Sequence, residues 1–198
     1  MTPREWALMA QAAYTAQPDI GLEASAGRVV FKHTPDGLVL SIPGTNNLAC
    51  AEADAEAIPH DTGALGRVHK GIWDAFDTVW GDVANLDVHA LVGHSEGACG
   101  ALFLAGRLCL LGKPPKIVWA WEPPRASIDN KLRDVLSAHN VELHIMWHGE
   151  DIVPLMPPDL LFLNWRHPGP VTRFGKASSE IANVSDHLLE NILSDISW

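Results

Sequence analysis

The chain is poor in positive charge, with 14 Lys and Arg against 24 Asp and Glu, a formal net charge of -10 over 198 residues. No basic run occurs anywhere, and a phosphate backbone needs clustered Lys and Arg, so nucleic acid is not an expected partner. An anionic membrane surface is disfavoured for the same reason. Cysteine is scarce too: Cys50, Cys99 and Cys109 make an odd number with no framework spacing, which argues for buried free thiols over a disulfide-stapled secreted domain. The opening "TPREWALMAQAAYT" lacks the basic start and the continuous apolar stretch of a secretory signal. The most apolar helical segment, "ACGALFLAGRLCLLG", is too short to span a bilayer and carries Arg107 in its middle. The expectation is a cytoplasmic protein with no stable membrane anchor. Repeats, low-complexity segments and linkers are also missing, so residues 1–198 are expected to form one domain, long enough to bury a core unaided.

What the chain does have is alternating periodicity. Thr2, Pro3 and Glu5 supply a cap, a first-turn proline and a capping box, and Trp6, Met9, Ala10, Ala13 and Tyr14 then share one face, which predicts a helix over 3–15. "GRVVFKH" and "GLVLSIPG" flank the turn "TPDG" and read as a hairpin. Residues 46–68 show no apolar periodicity and hold Glu52, Asp54, Glu56 and Asp61; an irregular insertion of that length is usually functional or disordered. Helices are predicted over 70–86, from the end of "VHALVGHS" to about 112, over 127–139 and over 185–196. The runs "PPKIVWAWEPP" and "VELHIMWHG" read as buried strands, and "LLFLNWRH" and "PVTRF" as extended pieces. Strands alternating with helices predict an α/β fold with a parallel or mixed sheet covered on both faces.

Within that pattern, Gly93-His94-Ser95-Glu96-Gly97 matches G-x-S-x-G, where a short strand ends and a helix begins. That placement sets a serine on a sharp turn whose flanking glycines relieve crowding, with the helix amides aimed at its oxygen, favouring negative charge there. Serine alone is a weak nucleophile and needs a base. On such folds the chain order is Ser, then Asp or Glu after a later strand, then His near the end. Asp151, after "VELHIMWHG", and His187, at the start of the last helix, stand in that order.

The chain resembles the class 3 lipases of the α/β-hydrolase superfamily, and the resemblance covers most of it. The pieces that carry it are "AAYT", "SIPGT", "VHKGIWDAF", "VGHSEGACGALFLA", "EPPRA", "GEDIVPLMPP" and "SDHLLENI", in that order. It implies an α/β-hydrolase fold, a mostly parallel sheet with helices on both faces, and a serine carboxylic ester hydrolase, a lipase or esterase. Residue by residue it implies Ser95 as nucleophile, His187 as general base and acid, Asp151 as the orienting carboxylate, and an oxyanion hole from the Glu96 amide and Thr45. Such chemistry calls for no cofactor and no metal, and the expected partner is a small-molecule or lipid ester; the sequence sets no oligomeric state.

Two departures from the family stand out. Glu96 follows the serine where an apolar residue is usual, and a carboxylate about 8 Å from an oxyanion costs roughly 2 kcal/mol at an effective dielectric near 20 unless it turns outward or finds a cation. The expectation is that Glu96 points away. Pro43 stands where an arginine is common, so the support behind the oxyanion loop must differ.

Rival readings exist for several residues. His144 and His148 have the spacing of helical zinc ligands but fall in a predicted strand, where four residues span about 13 Å, too far to share one ion. His94 is expected to pack or bond beneath the turn. His167 rivals His187, and Glu150, Asp159 and Asp186 rival Asp151. Cys99, one helical turn past Ser95, reads as a small packing residue. At the level of function, a thioesterase, amidase or acyltransferase with the same residues, or a binding protein on the same fold, are the alternatives. The alanine-and-acid run "ACAEADAEA" lies where family lipases carry a lid and is weakly apolar, which predicts short or medium acyl chains without strong interfacial activation.

Overall fold

The structure, a computed structural model, describes residues 1–45, 58–158, 163–176 and 184–198. Helix α1 (Pro3–Ala12) starts as its sequence demands: the Glu5 amide donates to the Thr2 hydroxyl, and the Thr2 amide donates back to the Glu5 carboxylate at 2.7 Å. It ends earlier than 15, because the Tyr14 amide turns to the Gln11 carbonyl at 3.1 Å and the side chain leaves the helix face for a hydrogen bond with His94. Strands β1 (Val30–Thr34) and β2 (Gly37–Ile42) form the predicted antiparallel hairpin, with Thr34 opposite Gly37.

Of the stretch read as irregular, residues 46–57 lie outside the described residues, and the remainder is ordered. Strands β3 (Pro59–Asp61) and β4 (Arg67–His69) pair antiparallel around a 3-10 turn at Gly63–Leu65. The ribbon is anchored by Leu65 and Val68, both buried, which are too few to register as a period.

The chain continues through α2 (Lys70–Val83), β5 (Val88–His94), α3 (Glu96–Leu110), β6 (Ile117–Trp121), α4 (Lys131–Ala138), β7 (Glu142–His148), β8 (Val171–Phe174) and α5 (Leu189–Asp195). Helix α4 begins later than 127 because Ser127 bridges to Val68 and Arg166, holding the chain extended. Arg166 contributes only that bridge, so the described part of "LLFLNWRH" is not a strand, and residues 159–162 lie outside the described residues. A 3-10 turn at Ser185–His187 precedes α5.

Among the described residues six strands form one sheet in the order β1-β2-β5-β6-β7-β8, antiparallel at β1/β2 and parallel elsewhere. Alternation along the strands divides the core. Leu91, Val118, Ala120 and Ile145 face α2, α3 and α4, while Ala90, Val92, Trp119, Trp121 and Met146 face α1 and α5. Helix α3 is the central member, buried along most of its length. Phe76 of α2 packs against it, and truncation to Ala would cost about 3–5 kcal/mol. His94 lies opposite Trp121 and Trp121 opposite Met146, so the carboxyl ends of β5, β6 and β7 come level. In open α/β sheets that edge is where ligands bind.

Candidate active site

Ser95 joins β5 to α3 with φ 58 and ψ -132, a region that costs a non-glycine residue about 1–3 kcal/mol. A serine that merely caps a helix has extended dihedrals and accepts from the first-turn amides; Ser95 does neither, so its hydroxyl is left for other work. The turn is held from below by its own amide, which donates to the Trp121 carbonyl at 2.9 Å. It is also tightly enclosed. A Cβ on Gly97 would meet the Ile42 and Pro43 carbonyls at 2.5 and 2.4 Å, and one on Gly44 would meet Ser95 Cβ at 2.8 Å, so backbone must pass where a side chain cannot. The Glu96 amide, first in α3, has no acceptor within the helix and stands at its positive end beside Ser95.

Asp151 and His187 come together. Asp151 Oδ2 lies 2.6 Å from His187 Nδ1, and Oδ1 accepts from the Val153 amide at 3.0 Å, with both residues fully buried. A carboxylate partner fixes the proton on Nδ1, leaving Nε2 as the basic nitrogen. That Nε2 is buried with no hydrogen-bond partner among the described residues, so no Ser95–His187 bond is formed in this structure. In unliganded sites such bonds are often long and close only with substrate.

His94 explains how the pieces are spaced. Its Nε2 lies 2.8 Å from the His187 carbonyl, which can only accept, so Nε2 carries the proton and Nδ1 accepts from the Tyr14 hydroxyl at 2.6 Å. Tyr14 oxygen in turn accepts from the Gly44 amide at 3.0 Å. A single line of hydrogen bonds therefore runs from the loop before Thr45, through the elbow, to the backbone of His187. Burial and the neighbouring His187 push His94 well below the ordinary histidine value, which keeps this tautomer neutral, and burial raises Tyr14 to about 12.

Arg28, buried ahead of β1, holds the backbone behind Gly44: its guanidinium donates to the Gly44 carbonyl at 3.2 Å and to the Glu23 and Ser25 carbonyls at 3.0 Å. The same cation acts on Glu96. Glu96 is half-buried, and its carboxyl is raised because desolvation outweighs the opposing pull of Arg28, so the nearby cation relieves the charge beside the serine only in part. Thr45 is half-buried in the loop that follows Gly44.

The rivals are occupied elsewhere. His167 Nε2 donates to the Pro154 carbonyl at 2.9 Å, Glu150 pairs with Arg173, and Asp186 accepts from the Glu150 amide. Asp159 lies outside the described residues. His144 and His148 both lie on β7; His144 bonds Glu142 and stacks on Trp119, and His148 bridges the Asp186 carbonyl and Asp195. Cys99 is fully buried, its thiol pushed well up by desolvation and by Glu96.

Sequence reasoning passed over Tyr14, Arg28 and above all Glu122. Glu122 has φ 51, is fully buried and accepts from the His148 amide through Oε1. One ligand atom each from Glu122, Asp151 and His187 falls within 4.8 Å of the others, so three ionisable side chains converge on one buried point. The available signal was a lone carboxylate closing the apolar run "IVWAW".

The fold and the edge of the sheet on which these residues gather define an α/β-hydrolase fold, and it is the fold of the fungal lipases, the class 3 lipases the sequence resembles. The chain is similar to a mutant form of MDLA from Penicillium cyclopium at 22% identity, covering 92% of this chain and 82% of that one with a TM-score of 0.70. It is similar to the Rhizomucor miehei lipase propeptide complex at 16% identity, over 98% and 78% of the two chains, TM-score 0.67. With the mono- and diacylglycerol lipase of Aspergillus oryzae it shares 18% identity over 95% and 86%, TM-score 0.64. No protein-family model matches the chain, and no curated protein matches it in sequence. Among the described residues no helix is long and apolar enough to cross a membrane.

Proposed function

We propose that the protein is a serine carboxylic ester hydrolase, a lipase or esterase in the broad sense. The observation that carries this is a serine held at positive φ, its hydroxyl free of helix capping, on the same sheet edge as a buried Asp151–His187 pair with an unpartnered Nε2. Ser95 Oγ attacks the ester carbonyl carbon while its proton passes to His187 Nε2. Asp151 holds the tautomer and stabilises the imidazolium that forms. The carbonyl oxygen becomes an oxyanion facing the Glu96 amide and Thr45, where losing one donor would cost roughly 3 kcal/mol of transition-state stabilisation. His187 returns the proton to the departing alcohol, and water then releases the acyl group by the same steps in reverse.

Hydrolysis of p-nitrophenyl esters from acetate to palmitate, with fluorophosphonate titration of active sites, tests this reading. Turnover and labelling that both vanish in Ser95→Ala support it; well-folded protein with neither points to a binding protein on this fold. The weakly apolar composition of residues 46–57 supports a preference for short or medium acyl chains. A sharp rate jump as a long-chain ester passes its solubility limit would contradict that preference.

A further inference from the structure

Glu122 closes β6 beside the candidate nucleophile, and the hydrolytic steps make no use of it. The prolines after it, Pro123 and Pro124, have no amide hydrogens and the next helix begins only at Lys131, so no first-turn donors reach its carboxylate. Only Oε1 is satisfied, by the His148 amide. Oε2 is buried and has no donor among the described residues, yet it belongs to a carboxyl group that sits with Asp151 and His187 inside 4.8 Å. An ionised oxygen in that position faces another acceptor; a protonated one is a donor facing an acceptor.

We propose, building on the hydrolase reading, that the acid of this site is the pair Glu122–Asp151: Glu122 Oε2 carries a proton that it donates to Asp151, and it thereby positions the carboxylate that orients His187. The pair then holds one proton and one negative charge. Glu122 is a positioning residue, acting on His187 through Asp151. The titratable groups that face it are Asp151, Asp186 and His187, and among the described residues no lysine or arginine acts on it. Burial, the bond to Asp151 and the Asp151 charge all push its carboxyl well above the usual carboxylate range. The positive φ is the backbone condition for this placement, since it turns the side chain from the strand end toward Asp151.

A donor to Asp151 spreads the carboxylate's charge and weakens its hold on the imidazolium. Removing that donor therefore raises the affinity of His187 for a proton and moves the acid limb of kcat/KM upward. Glu122→Gln keeps both halves of the arrangement, an oxygen for the His148 amide and an N–H for Asp151. Glu122→Gly suits the dihedral and removes the donor. The experiment is the pH profile of kcat/KM on a p-nitrophenyl ester, normalised to phosphonate-titrated sites, with the infrared carbonyl band of protonated carboxylic acid recorded at pH 7 on parent and Glu122→Gln. Expected are activity within about threefold and an unmoved limb in Gln, a limb raised by about half to one pH unit in Gly, and an acid band in the parent that Gln lacks. A Gln variant losing more than a hundredfold, a Gly profile equal to the parent's, or a parent without the band would overturn it. The band is read without substrate, so a parent that shows it but takes no phosphonate label sinks the hydrolase reading alone.

Discussion

Two neighbouring strands, β5 and β6, end in the same backbone device and do opposite things with it. Ser95 and Glu122 both have positive φ, 58 and 51, both are buried, and each donates its amide to a carbonyl of the next strand, Trp121 and Met146, at 2.9 Å. The residues next in the chain separate them. After Ser95 comes a fifteen-residue helix whose amino-terminal end favours negative charge; after Glu122 come two prolines that supply no amide at all. A strained strand end presents a side chain to the sheet edge, and the next turn decides whether charge on it is welcome.

The largest expected effect tests that division of labour. Ser95→Ala should lower kcat/KM by about 10⁴-fold or more while Glu122→Gln changes it by less than about threefold, measured on one ester under one set of conditions. Equal losses at the two positions would erase the contrast. Next comes the support of the β5 end: Arg28→Met removes a charged donor from the Gly44 carbonyl and the cation from beside Glu96, and turnover should fall by about 10- to 100-fold with KM less affected. Steady-state kinetics that show only a KM change would place Arg28 in substrate binding instead.

Stability offers a sharper version. Ser95→Gly relieves strain without losing a side-chain hydrogen bond seen in this structure, so chemical denaturation should show about 1 kcal/mol of added stability. Glu122→Gly relieves similar strain but leaves the buried His148 amide without its acceptor and, on the proposed pairing, takes one donor from Asp151, and should lose about 1–3 kcal/mol. Two changes of the same sign would mean the backbone, not the side chain, dominates at both.

A smaller effect concerns pH. His69 and His167 are lowered by burial from 6.5 to about 4. The unfolded chain binds these protons near 6.5 and the folded chain not until about 4, so this contribution is intact above 6.5 and is lost progressively down to about 4. Urea midpoints between about pH 7 and 4 should fall, and fall less steeply in His167→Gln. Smallest of all, Glu96→Leu removes a charge that Arg28 already attracts, and turnover should change less than tenfold or rise. A larger loss would show that the carboxylate has a task of its own beside Ser95.

Periodicity and turn chemistry made most of the elements legible, because a buried face repeats at about 3.6 or 2 residues along the chain. Boundaries were missed where a single long-range bond overrode local preference: Tyr14 leaving α1 for Gly44 and His94, and Ser127 held extended by Val68 and Arg166. The β3/β4 ribbon escaped notice because Leu65 and Val68 anchor it without making a repeat.

At the candidate site, the elbow that carries Ser95 was readable from its motif because a strand–turn–helix junction is local, and Asp151 and His187 were expected from chain order and the family resemblance. The 2.6 Å contact between Asp151 and His187, 36 residues apart in the chain, was not. Local chemistry along the chain was enough to set the alternation of elements, the strained serine and the absence of an arginine at Pro43. Long-range packing alone settled that Arg28 would hold the Gly44 carbonyl, that Tyr14 and His94 would link the loop to His187, and that Glu122 would come near Asp151. Each of those depends on which strand ends come level in the sheet, and pairing order is set by packing across the whole molecule, not by the residues on either side of the one in question.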